Sequence, residues 1–556
     1  MKLTVVAANI LWFLYSALKV RRWKRSSKNV AAAQKTILRR LLVKNKDTKF
    51  GVKYSFGAIE SVSDFQQIVP IQSYEDVLPF IEQEALGHLC VLTADPVQRF
   101  GTSSGSTKAL KLVPYTASLI SDFQEGINPW LYYIMSRNPA IMKGKAYWSI
   151  TPVGQKEKTS AGGIPIGFDD EHSYFGTLTK WILGNVMATP PELALIQDMD
   201  AFRYVTLLFL LQEKSLSWIS VWNPTFAILI LRSLDQWFDL LVEDIRTGSI
   251  SIDLDIPLEA KKSLNKALYK SPRRAEELIR IWSKKSEHVF QEVWPNLQLI
   301  SCWAHGNARG AALRLGVCFP NVTIQPKGLI ATEAFVSFPY RGEASALSLN
   351  SHFFEFEEMG SGDIKLAHEL RRGGRYSVIV TTSGGLYRYR LNDMIEVLDF
   401  VLECPLIRFV GKQDKVVDIC GEKLNEQFVN DVVGCALKVF PKEPLFWMMA
   451  PQQMGEASAE YVLFVQFSSE PDVGDPVFRR VIQEVDHVLR TSFHYDYCRQ
   501  LGQLGHCRLF IVSSDCDASE IYLETCVALG QRLGDIKATS LHAHPHWPKR
   551  FKGEFV

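Results

Sequence analysis

The stretch RFGTSSGSTKALKLVPYT, Arg99–Thr116, gathers glycine and hydroxyl side chains at residues 101–107 and follows them with Lys108 and Lys111. Glycines let backbone N–H groups approach an anion closely, and hydroxyl groups add further donors. Such a cluster can hold phosphate groups, expose a nucleophilic serine or form an ordinary surface turn. The residues that follow the cluster help to separate these alternatives.

Two known loop motifs fit the stretch poorly. A P-loop needs GxxxxGK[ST] running into a helix, but Gly105 is followed by Ser-Thr-Lys. The GxSxG pattern of a nucleophile elbow is present with Ser103 at its centre, yet an elbow also needs an immediate helix. The next residues alternate and are broken by Pro114, which predicts a loop and a strand. We therefore favour a phosphate-binding loop of another kind with Lys111 supplying positive charge, and an esterase that uses Ser103 stays an alternative.

Length and composition exclude several classes of protein. A chain of 556 residues predicts two or more domains, and 47% hydrophobic with 22% charged residues is typical of a globular protein. A net charge of only +2 argues against a nucleic-acid partner, which needs a basic surplus. The 10 cysteines form no CxxC pair, so neither a zinc framework nor a disulfide scaffold is indicated. A reducing, cytoplasmic location follows as an expectation.

The N-terminus carries an apolar run, LTVVAANILWFLYSAL, followed by Arg21, Arg22, Lys24 and Arg25. The run is shorter than the roughly 20 residues that span a bilayer as a helix. Its charges follow the apolar run, unlike those of a signal peptide, and would keep the chain on the cytoplasmic side. Two interpretations stay open, a first helix packed on the domain and a membrane-surface anchor formed by residues 3–25.

Helical and strand-like segments alternate along most of the chain, which predicts an α/β fold. Helical periodicity is clear in residues 31–42 and 119–134. Strand-like runs are HLCVLTA at His88, AYWSITPV at Ala146, LSWISVW at Leu216 and LQLISCW at Leu297. RYSVIVTTSGGLYRYRL, from Arg375, predicts a β-hairpin with a Gly-Gly turn and hence a β-rich subregion.

The polar sequence GKQDK, which starts at Gly411, is the predicted boundary with a smaller C-terminal α+β domain. In that domain the strand-like runs YVLFVQF and HCRLFIV flank a helical segment. We therefore expect an apolar and basic N-terminal segment over residues 1–26, a large domain over residues 27–410 and a small, mobile lid domain over residues 411–556.

Five further windows resemble motifs of one enzyme family. KGLIATEAFVSFP places Thr332 and Glu333 at a Ser/Thr-Glu motif, and LYRYRLNDMIEV places Asp393 at an acidic position. Residues 411–414 are similar to a Gly-Arg-x-Asp hinge, and GEKLNE and LGDIKATS resemble lysine-bearing segments with Lys423 and Lys537. With the opening loop, these windows resemble the adenylate-forming enzymes and, within them, the Gretchen Hagen family of acyl acid amido synthetases.

The resemblance implies a reaction with ATP and Mg²⁺ that adenylates a small carboxylic acid and transfers its acyl group to an amine, most simply an amino acid. Glu333 would ligate Mg²⁺, Thr332 would contact the α-phosphate, and Asp393 would accept hydrogen bonds from the ribose. Lys423 and Lys537 would stabilise the charged transition state. The other expected nucleotide-binding residues are Ser103, Ser104, Gly105, Ser106, Thr107, Lys111, Tyr389 and Lys412.

Three residues depart from the family pattern. Lys108 stands where the loop usually has glycine, Asn392 replaces a glycine before Asp393, and Lys412 replaces an arginine. Asn tolerates left-handed dihedrals, whereas Lys cannot reproduce the planar fork of Arg. A catalytically silent binding or membrane-associated scaffold is therefore one alternative. An acyl-CoA ligase, with a thiol as acceptor, is another.

Overall fold

The structure is a computed structural model that describes residues 3–103, 111–149, 158–167, 177–305, 308–413, 416–440, 442–453, 459–529, 531 and 536–556. The chain divides into two compact units. The first contains Met1–Trp222, Ile228–Cys302 and Cys318–Phe409. The second contains Asn223–Ala227, Trp303–Val317 and Val410–Val556.

The described α-helices, in chain order, are α1 Leu3–Ser26, α2 Val30–Asn45, α3 Lys49–Lys53, α4 Val62–Ile68, α5 Tyr74–Ala85, α6 Ala117–Arg137, α7 Thr177–Val186, α8 Met199–Gln212, α9 Pro224–Thr247, α10 Leu258–Ala267, α11 Pro272–Trp282, α12 Val289–Val293, α13 Arg309–Cys318, α14 Glu426–Ala436, α15 Pro476–Leu489, α16 Phe493–Gln500 and α17 Ala518–Ala528. Short 3-10 helices lie at Phe56–Ala58, Pro139–Lys143, Pro191–Leu195, Leu437–Val439 and Trp547–Lys549.

The described strands are β1 Arg99–Ser103, β2 Lys111–Tyr115, β3 Lys145–Trp148, β4 Lys158–Thr159, β5 Pro165–Ile166, β6 Leu216–Ser220, β7 Leu299–Cys302, β8 Thr323–Pro326, β9 Ser337–Arg341, β10 Ala344–Leu347, β11 Phe353–Glu358, β12 Ile364–Leu366, β13 Arg375–Thr381, β14 Tyr389–Val401, β15 Cys404–Lys412, β16 Val416–Val417, β17 Leu424–Asn425, β18 Phe446–Gln453, β19 Ala459–Gln466, β20 Arg508–Val512 and β21 Gly553–Phe555.

The described residues of the first unit form three sheets. A seven-stranded sheet has the order β12-β11-β13-β14-β15-β10-β9, and its β13-β14 pair is the hairpin predicted from the Gly-Gly turn. A parallel sheet has the order β3-β6-β7-β8, with helices on the connections between its strands. A smaller sheet, β2-β1-β5-β4, carries the antiparallel pair that flanks the glycine and hydroxyl loop. This mixture of helices and sheets confirms the predicted fold class.

Helix α1 packs on the first unit by one face. The side-chain amide of Asn9 donates to the carbonyl of Gly144, at 3.0 Å, and Lys19 Nζ lies 2.6 Å from the carboxylate of Glu125 on α6. Trp23 is 1% exposed, and its indole N–H donates to the carbonyl of Leu347 on β10. These contacts support the interpretation of α1 as a packed first helix.

The outer face of α1 is apolar. Its exposed large apolar side chains are Leu3, Ile10, Leu11, Leu14, Tyr15 and Leu18. By length and composition α1 alone among the described helices could cross a membrane, although a third of its most apolar window is buried. The core helix of a soluble protein can meet the same criteria, so length and composition fit both a packed helix and a membrane-surface anchor.

One strand prediction is wrong. The HLCVLTA segment at His88 forms a loop in which Val91 and Leu92 are buried and Leu89 is exposed, and Cys90 has a left-handed φ of 54° that interrupts an extended chain. The carbonyls of Cys90 and Val91 accept from N–H groups at the start of α3, and the Leu92 N–H donates to Glu84. Tertiary hydrogen bonds therefore replace the strand pairing that the apolar run predicted.

The second unit contains a four-stranded sheet, β18-β19-β20-β21, packed with α14, α15 and α16. Strands β19 and β20 run parallel, and α15 lies on the connection between them, as the alternation of strand and helix predicted. Pairing of β18 with β19 and of β20 with β21 is antiparallel, so this unit has the α+β character expected of the C-terminal region.

Candidate active site

The predicted phosphate-binding stretch begins at an antiparallel strand pair. Ser103, the last residue of β1, pairs with Lys111, the first residue of β2. The predicted phosphate contacts of Ser104, Gly105, Ser106 and Thr107 lie outside the described residues, as do Lys108 and the side chain of Ser103. The described chain resumes as a strand at Lys111, whereas a nucleophile elbow continues as a helix, and this weakens the esterase alternative.

Tyr74, at the start of α5, connects the loop to the Thr-Glu motif. Its hydroxyl accepts from the Leu112 N–H at 2.8 Å, and Lys111 Nζ lies 5.1 Å from the centroid of its ring. Burial raises the pKa of Tyr74, and the negative charge of Glu333 adds to this rise. The predicted cation Lys111 and the predicted magnesium ligand Glu333 therefore lie near the same phenol.

The end of β2 contacts two other predicted motifs. The Tyr115 hydroxyl donates to the carbonyl of Thr332 at 2.6 Å. The neighbouring Thr116 hydroxyl donates to the carbonyl of Ser383, in the turn of the β13-β14 hairpin, at 3.1 Å. Segments that are more than 200 residues apart in sequence thus meet at one strand end.

Tyr389 and Asp393 lie on β14, where the hairpin is irregular. Arg390 pairs with Ile379 and Met394 with Ser377, so the residues between them form a bulge. Asn392 occupies this bulge with a φ of 59°, a conformation that glycine adopts freely and Asn tolerates. Tyr389 and Asp393 are both buried, at 4% and 3% exposure. Asn392 differs from the family pattern, but it adopts the backbone conformation to which a glycine is suited.

The segment Gln72–Tyr74 connects β14 with the loop. The Gln72 N–H donates to the carbonyl of Arg388, and the Gln72 carbonyl accepts from the Arg390 N–H, so the two bonds bracket Tyr389. Two residues later, Tyr74 contacts β2. Sequence reasoning missed this segment, because nothing in its composition marks it as part of a site.

Arg388 fixes the start of β14 in place. Its guanidinium, 6% exposed, donates in bidentate fashion to Glu355 on β11, with both N–O distances 3.0 Å. It also donates to the carbonyl of Val69 at the end of α4. Arg390 pairs with Glu357, two residues along β11, so the two arginines share a face of the hairpin.

The second unit carries the remaining candidates. Lys412 ends β15, and its hinge partner Asp414 lies outside the described residues. Lys423 has a left-handed φ of 45° next to Glu422, whose carboxylate accepts from the Tyr461 hydroxyl at 2.6 Å. The Cys420 N–H also donates to Glu422, so this carboxylate holds the turn that precedes Lys423.

Lys537 lies beside an aromatic side chain of the second unit. Its Nζ is 5.5 Å from the centroid of the Trp303 ring, and its carbonyl accepts from the Tyr522 hydroxyl at 2.8 Å. The hydrogen bond to Tyr522 ties the backbone of Lys537 to α17.

The residues of the first unit fit a magnesium nucleotide. Mg²⁺ is usually held by one or two carboxylates together with substrate phosphates, and Glu333 is such a donor. Lys111 supplies a cation near the same phenol. Asp393 supplies a buried carboxylate that can accept from two hydroxyl groups. These side chains are therefore of the chemical types that a magnesium nucleotide needs.

Comparison with known proteins identifies the family of the chain. A profile described as GH3 family N-terminal domain matches residues 19–323, and one described as GH3 family central domain matches residues 345–412. The chain belongs to the GH3 family. The family predicted from the sequence motifs is thus confirmed, and so is the class of enzyme, an amino acid-conjugating ligase.

Curated relatives are similar over most of their length. A jasmonoyl–L-amino acid synthetase of Nicotiana attenuata, JAR4, is 23% identical over 519 residues, which cover 87% of each chain. A probable indole-3-acetic acid-amido synthetase of Oryza sativa subsp. japonica, GH3.11, is 24% identical over 518 residues, covering 85% of this chain and 84% of that protein.

A solved GH3 structure has the same fold. The GH3.15 acyl acid amido synthetase superposes with a TM-score of 0.78 at 19% identity, covering 94% of this chain and 93% of that one. Its complex with 2,4-DB gives a TM-score of 0.81 over 95% and 94% of the two chains. The predicted fold, a large α/β part followed by a smaller C-terminal part, is the GH3 fold.

Proposed function

We propose that this GH3 protein adenylates a small carboxylic acid with ATP and Mg²⁺ and then transfers the acyl group to the amine of an amino acid. The contact of Lys111 with the Tyr74 ring, together with the Tyr115–Thr332 hydrogen bond, carries the proposal. The proposal is supported by Lys111 at the start of β2, by the Thr332 hydrogen bond at its end and by the charge of Glu333, which acts on Tyr74.

The chemistry requires two transfers. In the first, a carboxylate oxygen of the acid attacks the α-phosphorus, and the bond to pyrophosphate breaks. In the second, the amine nitrogen attacks the acyl carbon, AMP leaves, and the nitrogen loses a proton. Because a free carboxylate would have to expel oxide, adenylation provides the leaving group that amide formation needs.

Residues of the first unit would hold the nucleotide through both steps. Lys111 and the loop residues 103–107 would neutralise and orient the phosphates, and Thr332 would donate to the α-phosphate. Glu333 would hold Mg²⁺, which supplies charge neutralisation at the phosphates when it is bound. Asp393 would accept from the ribose hydroxyls, with Tyr389 beside the nucleoside.

The C-terminal domain over residues 411–556 would act as a lid. Lys412 belongs to the hinge, and rotation there would exchange the two half-reactions. Lys423 and Lys537 would each stabilise negative charge in a transition state. The domain boundaries, including the large domain over residues 27–410, are part of this proposal.

Acid-dependent exchange of radioactive pyrophosphate into ATP tests the proposal across a panel of carboxylic acids. We expect exchange with at least one acid, and a fall of about 10²-fold or more in Glu333→Gln. Glu259→Gln, at an exposed position on α10, is the matched control and should keep full exchange. Folded wild-type protein that shows neither exchange nor nucleotide binding would contradict the proposal.

The alternatives give different results in related assays. A catalytically silent scaffold shows no stabilisation by ATP and Mg²⁺ in a thermal titration, whereas an enzyme that binds them does. An acyl-CoA ligase yields a thioester with coenzyme A and no amide with amino acids. Product analysis by mass spectrometry separates the two acceptors.

Membrane contact through residues 3–25 remains a prediction beside the enzymatic proposal. The exposed apolar face of α1 and the basic residues at its end suit an anionic bilayer surface. Flotation with vesicles containing phosphatidylserine should recover the protein, and Leu14→Ser with Leu18→Ser should abolish this recovery. A cytoplasmic location, free or at that surface, is the accompanying expectation.

A further inference from the structure

A polar cluster lies at the carboxyl ends of the parallel strands β3, β6, β7 and β8. Ser220 of β6 pairs on one side with Trp148 of β3 and on the other with Ser301 of β7. Ser301 pairs in turn with Gln325 of β8, and Lys327 follows β8. In sheets of parallel strands, ligands bind outside the carboxyl ends. The position alone therefore makes this row of residues a candidate site.

Lys327 is the charged residue of this cluster. Its ammonium nitrogen donates to the Ser220 hydroxyl at 2.7 Å and lies 4.8 Å from the ring centroid of Trp130 and 4.9 Å from that of Trp222. The residue is only 9% exposed. Among the described residues, no carboxylate forms an ion pair with it. A lysine buried in this way usually has a function, because burying an unpaired charge is costly.

Three further polar donors lie near Lys327. Within the described part of the chain, the indole N–H groups of Trp148 and Trp218 and the hydroxyl of Ser301 are buried without a hydrogen-bond partner. The Trp130 ring, against which the ammonium packs, lies 6.0 Å from the ring centroids of both Trp148 and Trp218. An ammonium and two indole N–H groups can only donate, so together they select an acceptor.

Burial has a measurable effect on this lysine. It lowers the pKa of Lys327 to about 7, while the nearby Cys302 has its own thiol pKa raised by burial to about 12. Near neutral pH the ammonium is therefore only partly populated, and an anion placed beside it would restore the charge. This behaviour is expected of a group whose counter-ion arrives with a ligand.

We propose that Lys327, with Ser220, Ser301 and the surrounding indoles, binds a second anionic group of the acid substrate, so that the enzyme acts on dicarboxylic acids. This inference rests on the proposed function, which supplies the reaction at the first carboxyl group. The chemical class of the substrate is an apolar chain or ring with a carboxylate at each end. The indoles contact the chain, and Lys327 binds the remote carboxylate.

The connection from β8 to β9 contacts two different parts of the first unit, and these would bind the two ends of such a substrate. Lys327, at its start, contacts β6 and α6. Thr332, further along, is bonded to Tyr115 on β2, next to the predicted phosphate site. An ammonium that is enclosed by indoles would also weaken the nucleophile if it paired with the reacting carboxylate. Lys327 therefore binds the end that does not react.

The test compares matched acids of several chain lengths, each as the monocarboxylic, ω-hydroxy and dicarboxylic form. Binding is measured by calorimetry without nucleotide, and adenylation by pyrophosphate exchange. We expect the wild-type protein to prefer the dicarboxylic form by about 10²-fold or more, since a site built for a polar group rejects the analogue that lacks it. Lys327→Met should remove the preference by raising Kd and KM for the diacid, with little change for the monoacid.

Two further variants distinguish a specific role of the Lys327 ammonium from a general effect of the substitution. Lys266→Met, at an exposed position on α10, loses the same charge and should keep the preference. Ser220→Ala keeps the ammonium but removes its acceptor, and should weaken the preference less than Lys327→Met does. Equal binding of mono- and dicarboxylic acids, no binding of any diacid, or an unchanged preference in Lys327→Met would overturn the inference.

The two proposals fail in different ways. Lys327-dependent diacid binding without pyrophosphate exchange would refute the ligase and keep the binding site. Exchange with monocarboxylic acids that does not depend on Lys327 would keep the ligase and refute the site.

Discussion

Asn392 shows how one residue can replace a glycine at the candidate site. Its φ of 59° lies in the left-handed region, in the bulge before Asp393. A side chain raises the energy of this conformation, least for Asn because its short amide can bond locally. The position is therefore restricted to Gly, Asn and few other residues if Asp393 is to keep its place.

We predict that Asn392→Gly keeps the free energy of unfolding within about 1 kcal/mol of the wild-type value. Asn392→Val should lower it by about 1–3 kcal/mol, because a β-branched residue is strained in this conformation. Urea denaturation measures both, and nucleotide titration should show weaker binding only for the valine variant. Asp399→Val, at a half-buried position of the same strand, is the control and should change stability little. Equal effects of Gly and Val at 392 would contradict the backbone argument.

Lys327 makes the stability of the protein depend on pH in a predictable direction. Its folded-state pKa of about 7 is below its ordinary value of 10.5, so between these values the unfolded chain binds more protons than the folded one. Stability from this group therefore rises as pH increases from about 7 to about 10. Cys302 stays protonated over this range, because burial has raised its pKa to about 12.

We expect Lys327→Met to be more stable than the wild-type protein at pH 7, by a few kcal/mol at most, and the difference to shrink as pH rises. Denaturation curves for both proteins at several pH values measure this difference, in which the titration of other groups cancels. A difference that does not change with pH, or a variant that is less stable at pH 7, would show that burial of the Lys327 ammonium does not destabilise the folded protein.

At the scale of elements, α1 illustrates a helix whose two faces differ in role. Trp23 is buried between α1 and the seven-stranded sheet, with its ring 5.3 Å from that of Phe338 on β9. Leu14 on the same helix is 56% exposed. The sequence showed the apolar run but not which residues faced the protein, because nearly every position in the run is apolar.

We predict that Trp23→Ala lowers the free energy of unfolding by about 3–5 kcal/mol, since a large buried ring is lost. Leu14→Ser should change it by less than about 0.5 kcal/mol. Guanidinium denaturation followed by fluorescence distinguishes them. If both substitutions proved neutral, α1 would not be a packed part of the first unit.

Periodicity predicted the elements that owe their form to local pattern. The helices α2 and α6, the strands β3, β6 and β7 and the β13-β14 hairpin all follow alternation or helical spacing in the sequence. The strand prediction for HLCVLTA was wrong because the segment forms a loop, with Val91 and Leu92 buried and Leu89 exposed, that is held by Glu84 and by α3. A short apolar run cannot by itself distinguish a strand from a buried loop.

At the scale of the whole molecule, ordered motifs predicted the family, whereas the nucleotide-binding roles of Thr332 and Glu333 stay predictions. Gln72, Tyr74 and Lys327 could not be predicted, because their significance depends on neighbours far away in sequence. Lys327, for example, meets Ser220 from 107 positions away. The motif lysines Lys412, Lys423 and Lys537 stay predictions.

Lys537 provides a test of the lid at this scale. If it acts on the transition state and not on the bound nucleotide, Lys537→Met should lower pyrophosphate exchange by about 10²–10³-fold while ATP affinity changes little. Lys549→Met, an exposed position near the C-terminus, is the matched control. A parallel loss of ATP affinity and exchange would assign Lys537 to ground-state binding instead.

The composition of the second unit has a consequence for synthesis of the chain. Arg314 on α13 donates to Ser519 on α17, 205 positions later. At about 5–20 residues per second, the ribosome would make these partners roughly 10–40 s apart. During that interval the early segment emerges without its later neighbours, so nascent chains should depend on holding chaperones until translation ends.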